Sequence, residues 1–154
     1  MTSRREFLQI GITATAWPIV AQAAGVRLEG RGREILGVVY DIRFAESVAF
    51  AARSAALGVR AHAIDGDMTR LWFDEIYHRW QQRPTALAGL TTHGPMFCFG
   101  ELARDVMMRV VYRAEHRPAA GAALAPADTL YRWVIAPRHE AEPKELAEWL
   151  FPPA

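Results

Sequence analysis

The chain has 154 residues, 51% of them apolar and 23% charged, a balance that fits one packed domain and argues against a disordered polar chain. Eighteen Lys and Arg face 17 Asp and Glu, for a formal net charge of +1, and no basic run stands out, so nucleic acid is not an expected partner. The single cysteine, Cys98, excludes an intrachain disulfide and any multi-cysteine zinc site.

The chain starts with a charged segment containing Arg4 and Arg5, followed by an apolar stretch from Ile10 to Val20 and then Ala21-Gln22-Ala23. A charged start, a short apolar middle and an A-x-A end make a secretory signal, which predicts cleavage after Ala23 and a single domain over 24–154. A stretch of about 11 residues falls short of the roughly 20 needed to span a bilayer, so no stable membrane anchor is expected after cleavage. Arg4 and Arg5, with Phe7 and Leu8 following at fixed spacing, resemble the twin-arginine (Tat) signal. The Lys usual in that signal is replaced by Gln9. The resemblance implies export of an already folded protein to the periplasm, with the Tat translocase as partner during export. Passengers on that route often carry a redox cofactor or travel with a subunit that does, so a redox-enzyme subunit is a second expected partner. Removing Arg4, Arg5 and Glu6 takes the formal charge to zero, which leaves no electrostatic steering to invoke.

Residues 24–34 read as a polar, glycine-rich lead-in. Ile35 to Tyr40 is an apolar run of strand length. Phe44 to Leu57 is alanine-rich and stops at Gly58, which predicts a helix with a glycine C-terminus. Val59 to Ile64 predicts a second strand. Met68 to Gln82 predicts a second helix, with Asp67 as N-cap and Pro84 beyond its end. Thr85 to Leu90 is a third strand, and Gly94-Pro95 opens a third helix with proline in its first turn. Arg109 to Tyr112 and Tyr131 to Ile135 are the fourth and fifth strands. They flank a low-complexity loop at 117–128, and Pro143 to Leu150 is a short final helix. Strand–helix units of about 25 residues predict an α/β fold with a small, open, mostly parallel sheet of four to five strands. Helices would cover both faces, in a three-layer Rossmann-like or flavodoxin-like arrangement.

In such a sheet, ligands bind beyond the carboxyl ends of the strands. That rule selects Asp41 and Arg43 after the first strand, Asp65 and Asp67 after the second, Thr91, Thr92 and His93 after the third, and Glu115 and His116 after the fourth. The segment Thr91-Thr92-His93-Gly94-Pro95 joins hydroxyl groups to a helix start, a combination that suits a small anion such as phosphate or carboxylate. A plain threonine N-cap accounts for the same residues.

Asp65-Gly66-Asp67-Met68-Thr69, after the apolar Ala63-Ile64, resembles the first motif of haloacid-dehalogenase-type phosphatases. The resemblance implies Asp65 as nucleophile, Asp67 as general acid, and Mg²⁺ held by both. It covers about seven residues, on the second strand instead of the first. Lys144 is the sole lysine of the chain, and no later acidic pair follows a strand. No G-x-S-x-G, P-loop or H-E-x-x-H pattern occurs, and the five histidines lack metal-ligand spacing. No cofactor is therefore expected. Cys98, between Phe97 and Phe99, reads either as a thiolate favoured by a helix start or as a small core residue. Along the second helix, Trp72, Phe73, Ile76, Tyr77 and Trp80 form a broad aromatic face. The surplus over what one sheet face covers points to Trp72, Tyr77 and Trp80 as a partner interface.

These features favour an accessory or binding subunit of a periplasmic oxidoreductase that is not itself an enzyme. The alternative is a small-anion or small-molecule binding protein, or an enzyme, working at the strand-end rim.

Overall fold

The computed structural model describes residues 26–27, 34–117, 128–139 and 143–153. The expected signal at 1–23 and most of the low-complexity loop lie outside the described residues. The elements in chain order are β1 (Val26–Arg27), β2 (Glu34–Asp41), α1 (Ala45–Ala56), β3 (Ala61–Ile64), α2 (Thr69–Leu71), a π turn (Trp72–Ile76), α3 (Tyr77–Gln82), β4 (Ala86–Thr91), α4 (His93–Arg104), β5 (Met108–Glu115), β6 (Tyr131–Pro137) and α5 (Pro143–Leu150). Apolar runs become the central strands β2, β3 and β4, whereas β5 and β6 carry charged residues among their apolar ones. Gly58, with φ at +81°, donates its N–H to Ala55 and closes α1 in the left-handed conformation that glycine takes without strain.

The chain is of the α/β class, and its sheet is mixed. β2 pairs in parallel with β3 and with β4. β6 lies antiparallel between β4 and β5, and β1 pairs antiparallel with the start of β2. The expected mostly parallel sheet is therefore corrected, because three of the five ladders are antiparallel. β4 and β5 do run in the same direction, as a strand–helix–strand unit requires, but β6 enters the space between them. The lead-in also contributes β1, which is too short to leave a periodic signal.

Alternate residues of the central strands go to separate cores, as the pleat demands. Ala88, Leu90 and Val134 pack with Phe50 of α1 and with Leu146, Leu150 and Phe151 at the chain's end. Leu87, Trp133 and Ile135 pack with Trp72, Ile76 and Trp80, and with Met96 and Phe99 of α4. Gly89 has to be glycine, because a Cβ there would lie 2.2 Å from the ring of Trp133. No helix among the described residues is long and apolar enough to cross a membrane.

Trp72 and Trp80 are 6% and 1% exposed, so the expected interface role is corrected for both. They are core residues, and of the three expected interface residues only Tyr77 keeps substantial free surface. Phe73 stands beside it at 61% exposure. Cys98 is exposed on α4, which corrects its reading as a core residue.

Candidate functional site

β2, β3, β4 and β5 all end, and β6 begins, at one end of the sheet. The structure therefore puts every rim residue selected from the sequence at this end. It does not bring them into one site. β3 and β5 are separated by β2, β4 and β6, a distance of roughly 19 Å at the usual strand spacing.

At the β2 end, the Asp41 carboxylate is fully buried and grips Arg43 in a two-pronged pair. The Arg43 Nε donates to Oδ1 at 2.9 Å and Nη2 to Oδ2 at 2.7 Å. The Arg43 backbone N–H donates to Oδ1 as well, at 3.1 Å. The hydrogen bonds from Arg43 to Asp41 raise the arginine's pKa further, with Asp128 and Asp65 adding to the field. The guanidinium packs on Gly66, where a Cβ would lie 2.5 Å from Cζ. The Asp41 N–H donates to Ser47 Oγ at 2.8 Å, and the Ser47 hydroxyl donates to the Leu90 carbonyl. Asp41 is thus committed to holding β2, α1 and the following loop together, and only Arg43 offers an exposed charged face.

At the β4 end, Thr91 is buried and also committed. The Trp133 indole N–H donates to its Oγ1 at 3.0 Å, and its hydroxyl donates to the Thr92 carbonyl at 3.0 Å. Thr92 is the N-cap residue of α4 but makes no side-chain cap, so the simple threonine cap is not what the structure has. The space around Gly94 is open. His93 stacks on Phe97 with ring centroids 5.8 Å apart and meets Tyr131 edge-on at 6.0 Å.

At the β3 end, Asp65 and Asp67 are exposed. Asp67 Oδ1 accepts the Thr69 N–H at 2.8 Å. Hydrogen bonds from the Thr69 side chain and backbone lower its pKa. In the phosphatase-like motif, Asp67 and Thr69 are therefore tied to each other as a helix start. Both aspartates line an edge cavity of about 480 Å³, shared with His62, Arg70, Asp74 and Glu75. His62 is buried beneath it, with Nδ1 3.5 Å from Glu75 Oε2 and Nε2 without a hydrogen bond among the described residues. Its ring occupies the space that a Cβ on Gly37 would need. Burial pushes its pKa down to about 4, against the opposing pull of Glu75, so the imidazole is neutral near pH 7.

The larger cavity, about 990 Å³, lies at the β5 end and holds Glu115 and His116. Its other walls come from Leu90, Tyr112, Arg132, Phe151, Arg53 and Arg117. Phe151 stacks on Tyr112 at 5.9 Å, and these two rings line the cavity; behind them Phe151 also stacks at 4.9 Å on Phe50, which is buried in the core. Arg132 crosses the Phe151 ring with its Cζ 6.0 Å from the centroid. Its Nη2 reaches the Glu115 carbonyl at 3.5 Å, and its Nε is buried with no acceptor among the described residues. His116 Nε2 pairs with Glu46 Oε2. Cationic forks beside aromatic faces suit a carboxylate or phosphate attached to a flat apolar body, and the volume lies in the range of small-molecule sites.

Sequence reasoning missed Arg132, Tyr112 and Phe151. The strand-end rule considers only carboxyl ends, whereas antiparallel β6 brings its amino end to the same rim. The signal was present in Tyr131-Arg132-Trp133, where a charge interrupts an otherwise apolar strand.

Set against known proteins, the chain matches no family model, no curated protein and no solved structure.

Proposed function

We propose that this chain is a binding protein, exported by the Tat route to the periplasm, that holds a small anionic molecule with an apolar body. The cavity between β5, β6 and α5 carries this reading, because Arg132 presents a buried, unpartnered Nε beside the aromatic surface of Phe151. An unmatched buried donor costs stability unless an acceptor arrives, and a bound carboxylate or phosphate supplies one. With Arg117 and Arg53, three arginines line the cavity against two carboxylates, Glu115 and Glu148.

The test is a titration of the mature protein with an aromatic carboxylate and an aromatic phosphate, followed by calorimetry. Arg132→Ala should weaken binding at least tenfold, about 1.4 kcal/mol, with the fold intact. Equal binding in that variant removes the support from the cavity. Export is tested separately by changing Arg4 and Arg5 together to Lys. The precursor should then stay in the cytoplasm, and unchanged periplasmic yield would overturn the assignment of the route.

A second reading, an accessory subunit of a periplasmic oxidoreductase, draws on the neighbouring exposed aromatics Phe73 and Tyr77. Adjacent exposed rings of this kind are common anchors in protein contacts.

A further inference from the structure

The far edge of the sheet carries a second surface, independent of the rim cavity. β5 pairs with β6 on one side and with no strand on the other among the described residues. Between β5 and α4 lies a cavity of about 490 Å³ lined by Phe97, Val110, Arg109, Arg113 and Arg138. Phe97 is 55% exposed and Val110 39%. The register explains this. The ladder shifts between Val110 and Tyr112, so Val110 stands opposite Ile135 and Arg113 opposite Trp133, both of the α4-side core, while Tyr112 stands opposite Val134 of the other core. The bulge thus turns an apolar and a cationic residue to the α4 side together. Arg104, also on this wall, pairs with Glu101. Arg109, Arg113 and Arg138 make no ion pair among the described residues.

We propose that this edge docks an extended acidic segment of a partner polypeptide. The segment adds a strand along β5 through main-chain hydrogen bonds, matches its carboxylates to the free arginines, and places an apolar side chain over Phe97 and Val110. A second copy of this chain fits less well. Antiparallel self-pairing centred on Val111 sets Arg109 against Arg113, and like charges directly opposite are destabilising.

The experiment uses the full mature protein and a labelled peptide of eight residues, the length of β5, alternating Glu and Val around a central Phe. Fluorescence anisotropy should show saturable binding that weakens with salt, and β5 amide signals should shift in the NMR spectrum. The double variant Arg113→Glu, Arg138→Glu should lose at least tenfold in affinity while its circular dichroism is unchanged. Arg132→Ala, in the other cavity, should bind the peptide normally. Four outcomes would each overturn the proposal: no binding, equal binding of a peptide with Lys in place of Glu, amide shifts confined elsewhere, or an unaffected double variant. Concentration-dependent self-association through β5 would assign the edge to a second copy instead, and displacement of the peptide by a single-stranded oligonucleotide would assign it to nucleic acid.

Discussion

His62 illustrates how one side chain ties packing to solution conditions. Folded, its imidazole resists protonation until about pH 4, whereas an ordinary histidine takes a proton near 6.5. Between those values the unfolded chain binds more protons than the folded one, so stability is full above about pH 6.5 and falls as the pH drops toward 4. The gap corresponds to a loss on the order of 3 kcal/mol. Urea unfolding at several pH values should show this slope, and His62→Gln should flatten it. An identical slope in the variant would place the pH sensitivity elsewhere. Asp41 and Thr91 teach a different lesson at the same scale. Polar residues at strand ends were legible in the sequence as candidates, but their partners were not. Asp41 meets Arg43 only because the chain doubles back after β2, and Thr91 meets Trp133 across 42 residues of sequence.

Element boundaries were the most legible level, because they follow from local chemistry. The expected helix at Phe44 to Leu57 occupies Ala45–Ala56, and Pro143–Leu150 is found with the expected bounds. The π turn at Trp72–Ile76 left no signal, since a widened backbone turn has no composition of its own. Its effect is concrete. Trp72, Ile76 and Trp80 share the core side, while Phe73 and Tyr77 turn outward. Trp80 is anchored further by its indole N–H, which donates to the Thr85 carbonyl at 2.9 Å. Trp80→Ala should therefore cost about 3–5 kcal/mol of stability. Tyr77→Ala and Phe73→Ala should stay within about 0.5 kcal/mol for an exposed site. Thermal melts of the three variants distinguish a core stripe from a surface one.

For the whole molecule, the alternation of strands and helices made the α/β class readable, because each strand–helix unit is a local pattern. Sheet order was not readable. Tyr131-Arg132-Trp133-Val134-Ile135 has the same strand character whether it lies at an edge or in the centre, and only the tertiary fit chooses between them. The rim cavity depended on that choice, since Arg132 reaches it from β6 and Phe151 from the residue after α5. Removing residues from Pro143 onward should abolish ligand binding and lower the melting temperature, because Leu146, Ala147, Leu150 and Phe151 all leave one core. A truncated chain that melts at the full-length temperature would show that α5 is peripheral.

The position of β6 also governs when the protein can mature. It is synthesised after β4 and β5 yet fits between them, so the sheet stays split until Pro137 has left the ribosome. Until then, two strands lie with open facing edges, a state prone to wrong pairing. Closure is a long-range event, and such events are slow. Ribosome-bound chains with β6 still inside the exit tunnel should remain sensitive to protease, and resistance should appear only when a trailing linker long enough to fill the tunnel brings β6 and the final helix outside it. A peptide spanning β6, added to chains whose own β6 is still inside the tunnel, should seat itself in the waiting slot and restore resistance without further synthesis.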